Sequence, residues 1–306
     1  FWPLAAGVTA AAFGSPVKSL LLGAGLALLG GNPRAQANGQ LAKYLLQAAV
    51  VLLGFGLSLG VVLRVGAASL GLTLVTITLT MALALGLGRL LRVDRELATL
   101  LGGGTAICGG SAIAAIAPAI GAGAANTAAA LAIVFLLNAV GLVVFPVLGG
   151  WLHLSQDQFG LWAALAIHDT SSVVGAAAVF GTHSLALATT VKLTRALWIL
   201  PVSLACARHF QGQSGATVPW FLGGFVAAAL LRTRFAGAEA VWDGLAAAGR
   251  LMMVATLFLV GSGLTRGSLR QIGPRPLVLA IGLWILVSVG TLGAIKIGWL
   301  ELSLPL

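Results

Sequence analysis

The residues able to do chemistry fall in three short strings. The first, Thr105-Ala-Ile-Cys-Gly-Gly-Ser111, closes a ten-residue stretch, 102–111, that holds five glycines. The second, Ile167-His-Asp-Thr-Ser-Ser-Val-Val174, sets five polar residues in a row. The third supplies Thr189, Thr190, Lys192, Thr194 and Arg195. All three lie inside long apolar runs.

Together they offer hydroxyls, two cations and breaks in helical backbone. Each glycine costs a helix roughly 1 kcal/mol against alanine, so residues 102–111 predict an interruption with a new half-helix from Ala112 to Ile120. Gly109, Gly110 and Ser111 then stand at a helix N-terminus, where free amides and the dipole attract anions; Ser111 can cap that end. Thr105 and Cys108 accompany the break. The alternative is close helix packing through small residues. Residues His168 to Ser172 are too polar for a lipid-facing helix, and Asp169, Thr170, Ser171 and Ser172 all suit an N-cap. They predict a second interruption, with a half-helix beginning near Ser172. An ionisable group at bilayer depth points to function. Asp169 binds a cation or proton, or caps the half-helix; His168 couples protons, or is a structural hydrogen-bond donor. Asn138 needs a partner near mid-span, from a ligand or a neighbouring helix.

Lys192 and Arg195 are three apart and share a helix face. Only Asp169 is near them in sequence at similar depth, so positive charge is left over. A bound anion would compensate it; ion pairing plus carbonyl contacts is the other reading. Ser111, His168 and Asp169 are hydrolase-like types, but adjacent His and Asp do not reach the geometry of a catalytic relay. The expectation is therefore a protein that is not an enzyme and needs no cofactor.

These strings must be positioned by membrane helices. The chain has 306 residues, 59% hydrophobic and 8% charged, with mean hydropathy +1.06; a soluble domain carries roughly 25% charged residues. The net charge of +10 comes from basic residues scattered singly at the ends of apolar runs, which speaks for lipid headgroups and against nucleic acid. Cys108 and Cys206 form no disulfide framework or metal spacing. The apolar segments lack two-residue alternation, so the expected class is an all-α polytopic membrane protein.

About eleven spans are expected: 1–13, 16–31, 42–63, 66–90, 96–120, 124–149, 158–180, 184–208, 218–232, 243–264 and 275–298. Arg34, Lys43, Arg89, Arg92, Arg95, Arg208, Arg266, Arg270 and Arg275 fall on one set of connections, against mainly Arg64, Arg232 and Arg234 on the other. The positive-inside rule then gives a cytoplasmic N-terminus and an external C-terminus. The chain reads as one domain, 1–306, with repeat halves of about 1–150 and 151–306. The run from Pro16 to Leu29 resembles the run from Pro219 to Leu231, and Leu53-Gly-Phe-Gly-Leu-Ser58 resembles Val260-Gly-Ser-Gly-Leu-Thr265. An odd number of spans separates the copies, so the repeats are inverted, as in secondary transporters with midplane sites.

Thr105 to Ala115, Ala166-Ile-His-Asp-Thr-Ser-Ser-Val-Val-Gly-Ala-Ala177 and Val191-Lys-Leu-Thr-Arg195 resemble the YeiH family of bacterial inner-membrane proteins, commonly called sulfate exporters. The resemblance runs from about Gly14 to the C-terminus. That family is similar in turn to the bile-acid symporter and cation/proton antiporter superfamily. The resemblance implies inverted repeats, a scaffold beside a core with discontinuous helices at the membrane midplane, and a homodimer through the scaffold. Its motifs land on Thr105 to Ser111, His168 to Ser172, Lys192 and Arg195. The family often has Ala-Gln where Ser171 and Ser172 stand, which bears on substrate preference.

The function expected is alternating-access transport of a small anion, of the sulfate, sulfite or organic sulfonate class. Thr105, Cys108, Gly109, Gly110, Ser111, Thr170, Ser171, Ser172, Lys192 and Arg195 would bind it; His168, Asp169 and Asn138 would serve a coupling ion or proton. The alternatives are a sodium- or proton-coupled carrier of an organic anion with Asp169 as ion site, and an anion channel. One conflict stays open. If the fifth and seventh spans both cross fully they run parallel, whereas an inverted pair runs antiparallel; so one is re-entrant, or only one crosses.

Overall fold

The computed structural model describes residues 5, 16–210, 220–263 and 273–302. The expected first span, 1–13, lies almost wholly outside them, as do Pro219, Leu264, Thr265, Arg266 and Arg270. The described residues are helical throughout: α1 (Pro16–Gly30), α2 (Ala35–Gly54), α3 (Leu59–Leu90), α4 (Arg95–Ala106), α5 (Gly110–Ala119), α6 (Ala124–Trp151), α7 (Gln156–Ala166), α8 (Thr170–Phe180), α9 (Thr182–Leu197), α10 (Ile199–Phe210), α11 (Trp220–Arg234), a 3₁₀ turn (Ala236–Ala238), α12 (Glu239–Gly261) and α13 (Pro274–Lys296). Five helical stretches are long and apolar enough to cross a membrane: Leu59–Leu90, Ala125–Trp151, Thr182–Phe210, Ala236–Gly261 and Pro274–Lys296. The fold is that of a polytopic all-α membrane protein.

The two interrupted segments do not cross. Each is a hairpin. In the first, Asp94 caps α4 by accepting the amides of Glu96 and Leu97. The chain turns at Gly109, whose φ of +67° is a left-handed value that costs other L-residues roughly 1–2 kcal/mol. α5 then runs back along α4: a Cβ on Gly103 would stand 2.2 Å from Ile116 Cδ1. The base is tied shut, since Glu96 Oε2 accepts from Gly123 N at 3.1 Å and Asn126 Nδ2 at 3.0 Å. Asn126, in the first turn of α6, thereby helps close this base.

The second hairpin is built alike. Ser155 and Gln158 form a capping box at the start of α7. Phe159 stacks on Phe180, centroids 3.8 Å apart, across its two limbs. Gln156 Oε1 accepts His183 N at 3.0 Å and so also caps α9. Ala106-Ile107 and Ser111 of the first hairpin correspond to Ala166-Ile167 and Ser171 of the second at one constant offset. Only α6 separates the hairpins, so they enter from opposite ends of the bundle and meet at their tips.

The parallel-versus-antiparallel conflict is thereby removed: both segments turn back. The eleven-span count is corrected accordingly, because its fifth and seventh members are re-entrant. The relative sides of Arg89, Arg92, Arg95 and Arg208 are unchanged, because an even number of crossings is lost. Arg95, at the base of the first hairpin, touches His209 and lies 4.9 Å over the Phe210 ring, which puts the end of α10 on the same side.

Helices α1, α2, α11 and α12 pack on one another beside the hairpin-bearing group. Small residues let the backbones touch there. A Cβ on Gly54 would meet Phe225 O at 2.5 Å and Ala228 Cβ at 3.0 Å; one on Gly261 would meet Leu20 O at 2.3 Å and Ala24 N at 2.9 Å. The two contacts are reciprocal, α2 on α11 and α12 on α1.

With Cys108 and Cys206 replaced by serine, single cysteines introduced as Arg92→Cys and Ala122→Cys are expected to react with an impermeant thiol reagent from the same face of sealed vesicles. Labelling from opposite faces would show that residues 95–119 cross after all. In the scaffold, Gly261→Val is expected to lower thermal stability by about 1–3 kcal/mol through overpacking. Gly25→Val, with nothing within 4 Å of its Cβ position, leaves it nearly unchanged.

Candidate functional site

A hairpin turned inside a membrane leaves the last carbonyls of its first limb without helical donors, at a depth where each unpaired group costs several kcal/mol. At the end of α7 every one is met. Ile167 N donates to Ala163 O. Ala164 O accepts from Arg195 Nη1 at 2.9 Å and from Lys192 Nζ at 3.4 Å. Leu165 O accepts from Arg195 Nη1 at 2.7 Å, Ala166 O from Trp284 Nε1 at 3.1 Å, and Ile167 O from Lys192 Nζ at 2.7 Å. Arg195 Nη2 donates to Ala106 O at the end of α4. One guanidinium thus joins both tips. Lys192 and Arg195 are each 0% exposed, and cations suit the negative ends of two helix dipoles.

The amino end of the second limb is held differently. Asp169 caps α8, which begins at Thr170, two residues before the expected start near Ser172. Its carboxylate accepts both the amide and the hydroxyl of Ser171, the capping role left open above. Asn138, from α6, accepts the Asp169 amide on Oδ1 at 3.1 Å. Gly109 touches Asp169: a Cβ there would lie 3.2 Å from its Cα. This is where the tips meet.

Around this junction six buried polar atoms have no partner: Thr105 Oγ1, Asn138 Nδ2, His168 Nδ1 and Nε2, Ser172 Oγ and Arg195 Nε. Buried polar atoms in folded proteins are nearly always paired, and elsewhere among the described residues only Ser19, Asp157, Ser184 and Ser288 leave one such atom. The junction is a concentrated set of unused hydrogen-bonding capacity. Among the described residues no three His, Cys, Asp or Glu side chains gather as metal ligands. A cleft of about 200 Å³ lined by Asp157, Leu161, Ile295 and Glu301 lies at the base of the second hairpin, away from the tips.

The family model described as Conserved hypothetical protein 698 matches residues 5–280, a range that holds both hairpins, Lys192 and Arg195. The chain belongs to this family. The relatives are named as UPF0324 membrane proteins. The one from Geobacter sulfurreducens, GSU2818, is 48% identical over 92% of this chain and 91% of its own length. Bd1437 from Bdellovibrio bacteriovorus is 45% identical over 98% and 94%. A relative from Shewanella oneidensis is 42% identical over 92% and 90%. No solved structure matches the chain.

In this member of the Conserved hypothetical protein 698 family, Thr105, Asn138, His168, Asp169, Thr170, Ser171, Ser172, Lys192 and Arg195 come together at the junction, along with Cys108 and Gly109. Gly110 packs instead against Phe135 and Leu131. Ser111 is exposed at the start of α5, outside the buried set. Trp284 was not anticipated. It lies 6.3 Å from the His168 ring as well as capping α7; its signal was a tryptophan in mid-span, away from the interfaces where such residues concentrate.

Arg195→Met removes donors from three carbonyls, two of which, Ala106 O and Leu165 O, have no other side-chain donor among the described residues. Lys192→Met removes the side-chain donor of Ile167 O while Arg195 still serves Ala164 O. At about 1–3 kcal/mol per orphaned buried group, Arg195→Met is expected to destabilise more than Lys192→Met in thermal unfolding. The reverse order would remove Arg195 from its bridging role.

Proposed function

We propose that the protein is a secondary transporter of a small anion, working by alternating access. The observation that carries this reading is the set of six unpaired buried polar atoms where two oppositely directed hairpin tips meet. Donors dominate the set, Lys192 and Arg195 add positive charge, and the amide ends of α5 and α8 start at the same junction. The one carboxylate there, Asp169, is engaged with Ser171, which favours an anion over a cation as cargo. Sulfate, sulfite and organic sulfonates remain the class the family resemblance implies.

Alternating access is supported by the arrangement of the limbs. The corresponding motifs of the two hairpins, and the reciprocal contacts of Gly54 and Gly261, fit two halves of about 1–150 and 151–306 in inverted relation. The limbs are unequally covered: α8 packs on α1 and α12, whereas α5 packs on α4, α6 and α10 and leaves Ser111 and Pro118 exposed. Such inequality is what one state of a two-state carrier requires, and a ligand shifts the states only by contacting them differently. The reading places the protein in a bacterial inner membrane with a cytoplasmic N-terminus. Transport needs no cofactor, is driven by exchange or by a sodium or proton gradient, and is carried by a protomer that pairs through its scaffold.

Thr105→Val and Ser172→Ala each delete a hydroxyl that is unpaired in the ligand-free protein. Both are expected to leave thermal stability unchanged or raised, while lowering anion-dependent uptake by purified protein in liposomes at least about tenfold. Wild-type uptake by both variants would sink the assignment of this junction as the anion site.

A further inference from the structure

The side from which the first hairpin enters carries more positive charge than its own carboxylates answer. Two membrane-crossing stretches end there, Leu59–Leu90 and Thr182–Phe210. Arg89 lies in the last turn of the first and Arg208 in the last turn of the second. Arg92 sits in the connection from α3 to α4, and Arg95 opens α4. The fold joins these distant positions, because Arg95 touches His209 and lies over the Phe210 ring. All four arginines are exposed, and among the described residues none of them is ion-paired.

Two carboxylates share this surface, and both are engaged elsewhere. Asp94 Oδ1 takes the amides of Glu96 and Leu97 and the Nδ2 of Asn126. Glu96 Oε2 takes Gly123 N and the same Nδ2. Four arginines against two carboxylates leave a surplus of two cations. Helix dipoles explain only part of the placement. Arg89 and Arg208 stand at carboxyl ends, which favour a cation, but Arg95 stands at an amino end, which does not.

An apolar track leads into the cluster. Val75, Leu79, Leu83 and Leu90 are exposed on α3 at spacings of four, four and seven, so they share a helix face. Leu90, 77% exposed, ends the track beside Arg89. Guanidinium groups at headgroup level thus stand above a surface for a hydrocarbon chain, which a free anion would leave unused.

We propose that this surface holds an anionic phospholipid, with its phosphodiester on Arg89, Arg92 and Arg208 and an acyl chain along Val75 to Leu90. Arginine presents a planar fork of donors that matches phosphate oxygens. A basic residue at the membrane surface is worth about a fivefold gain in affinity for anionic lipid. Arg95, held by His209 and Phe210, positions the two helix ends that supply the other three. The site lies at the base of the first hairpin and does not depend on the anion reading of the tips.

The test is native mass spectrometry of the full-length protein in detergent, titrated with phosphatidylglycerol, with phosphatidylcholine of the same chains, and with inorganic phosphate. Phosphatidylglycerol is expected to be retained at least about tenfold more tightly than phosphatidylcholine. The double variant Arg89→Gln/Arg208→Gln removes two side chains that have no partner among the described residues, and is expected to lower phosphatidylglycerol affinity at least about tenfold. Arg64→Gln/Arg234→Gln loses the same charge at the other end of α3, where Thr233 accepts the Leu59 amide, and is expected to stay within about twofold of wild type. Equal retention of the two lipids by wild-type protein overturns the proposal. So does an equal loss in both double variants, which reduces the effect to net charge. Inorganic phosphate retained as tightly as phosphatidylglycerol overturns the lipid in favour of a free ion.

Discussion

The structure depends on the satisfaction of backbone carbonyls inside a membrane. A hairpin that turns at mid-depth exposes the end of a helix where water is absent, and nothing in lipid can accept or donate in its place. Arg195, Lys192 and Trp284 supply the donors for the end of α7, and Arg195 reaches across to α4. The two cations are buried for a reason that is electrostatic as well as geometric. Each sits where helix dipoles point their negative ends, so its desolvation is offset without a carboxylate partner. An ion pair between Arg232 and Asp243 joins α11 to α12 at their connection, outside the hairpins.

From that constraint a division of labour follows. The carboxyl ends of α4 and α7 consume the strong cationic donors. The amino ends of α5 and α8, and the side chains that flank them, keep donors in reserve. Asp169 stands at the α8 cap and accepts from the amide and hydroxyl of Ser171. The groups left over are mostly uncharged: a threonine, a serine, an asparagine and a histidine, with one edge of a guanidinium.

The scaffold obeys a different rule. Helices α1, α2, α11 and α12 approach through glycine and alanine, where backbone meets backbone, because apolar surface has no drive to associate in lipid and packing must supply it. The hairpin group is joined to that scaffold unevenly, through α8 more than through α5. The tips are rigidly tied at their bases by Glu96 with Asn126 and by Gln156 with His183.

The sequence by itself determined the class, the helices and the two interruptions. Hydropathy settles the solvent, the glycine-rich stretch 102–111 holds the break that falls at residues 107–109 while Gly102 to Gly104 stay helical, and five polar residues from His168 disfavour a lipid-facing helix. It also singled out Lys192 and Arg195, since a mid-span charge needs a reason. Only the tertiary structure decided that both interruptions turn back. A broken crossing helix and a hairpin share the same glycines and caps, and differ in contacts between residues far apart in sequence, such as Glu96 with Gly123 and Phe159 with Phe180. For the same reason the sequence left the partners of the two cations open between an anion and carbonyls. Trp284 stood out only as a mid-span tryptophan, and its partner stayed open, because a carbonyl looks alike in every residue and which ones lack helical donors is set by where the chain turns.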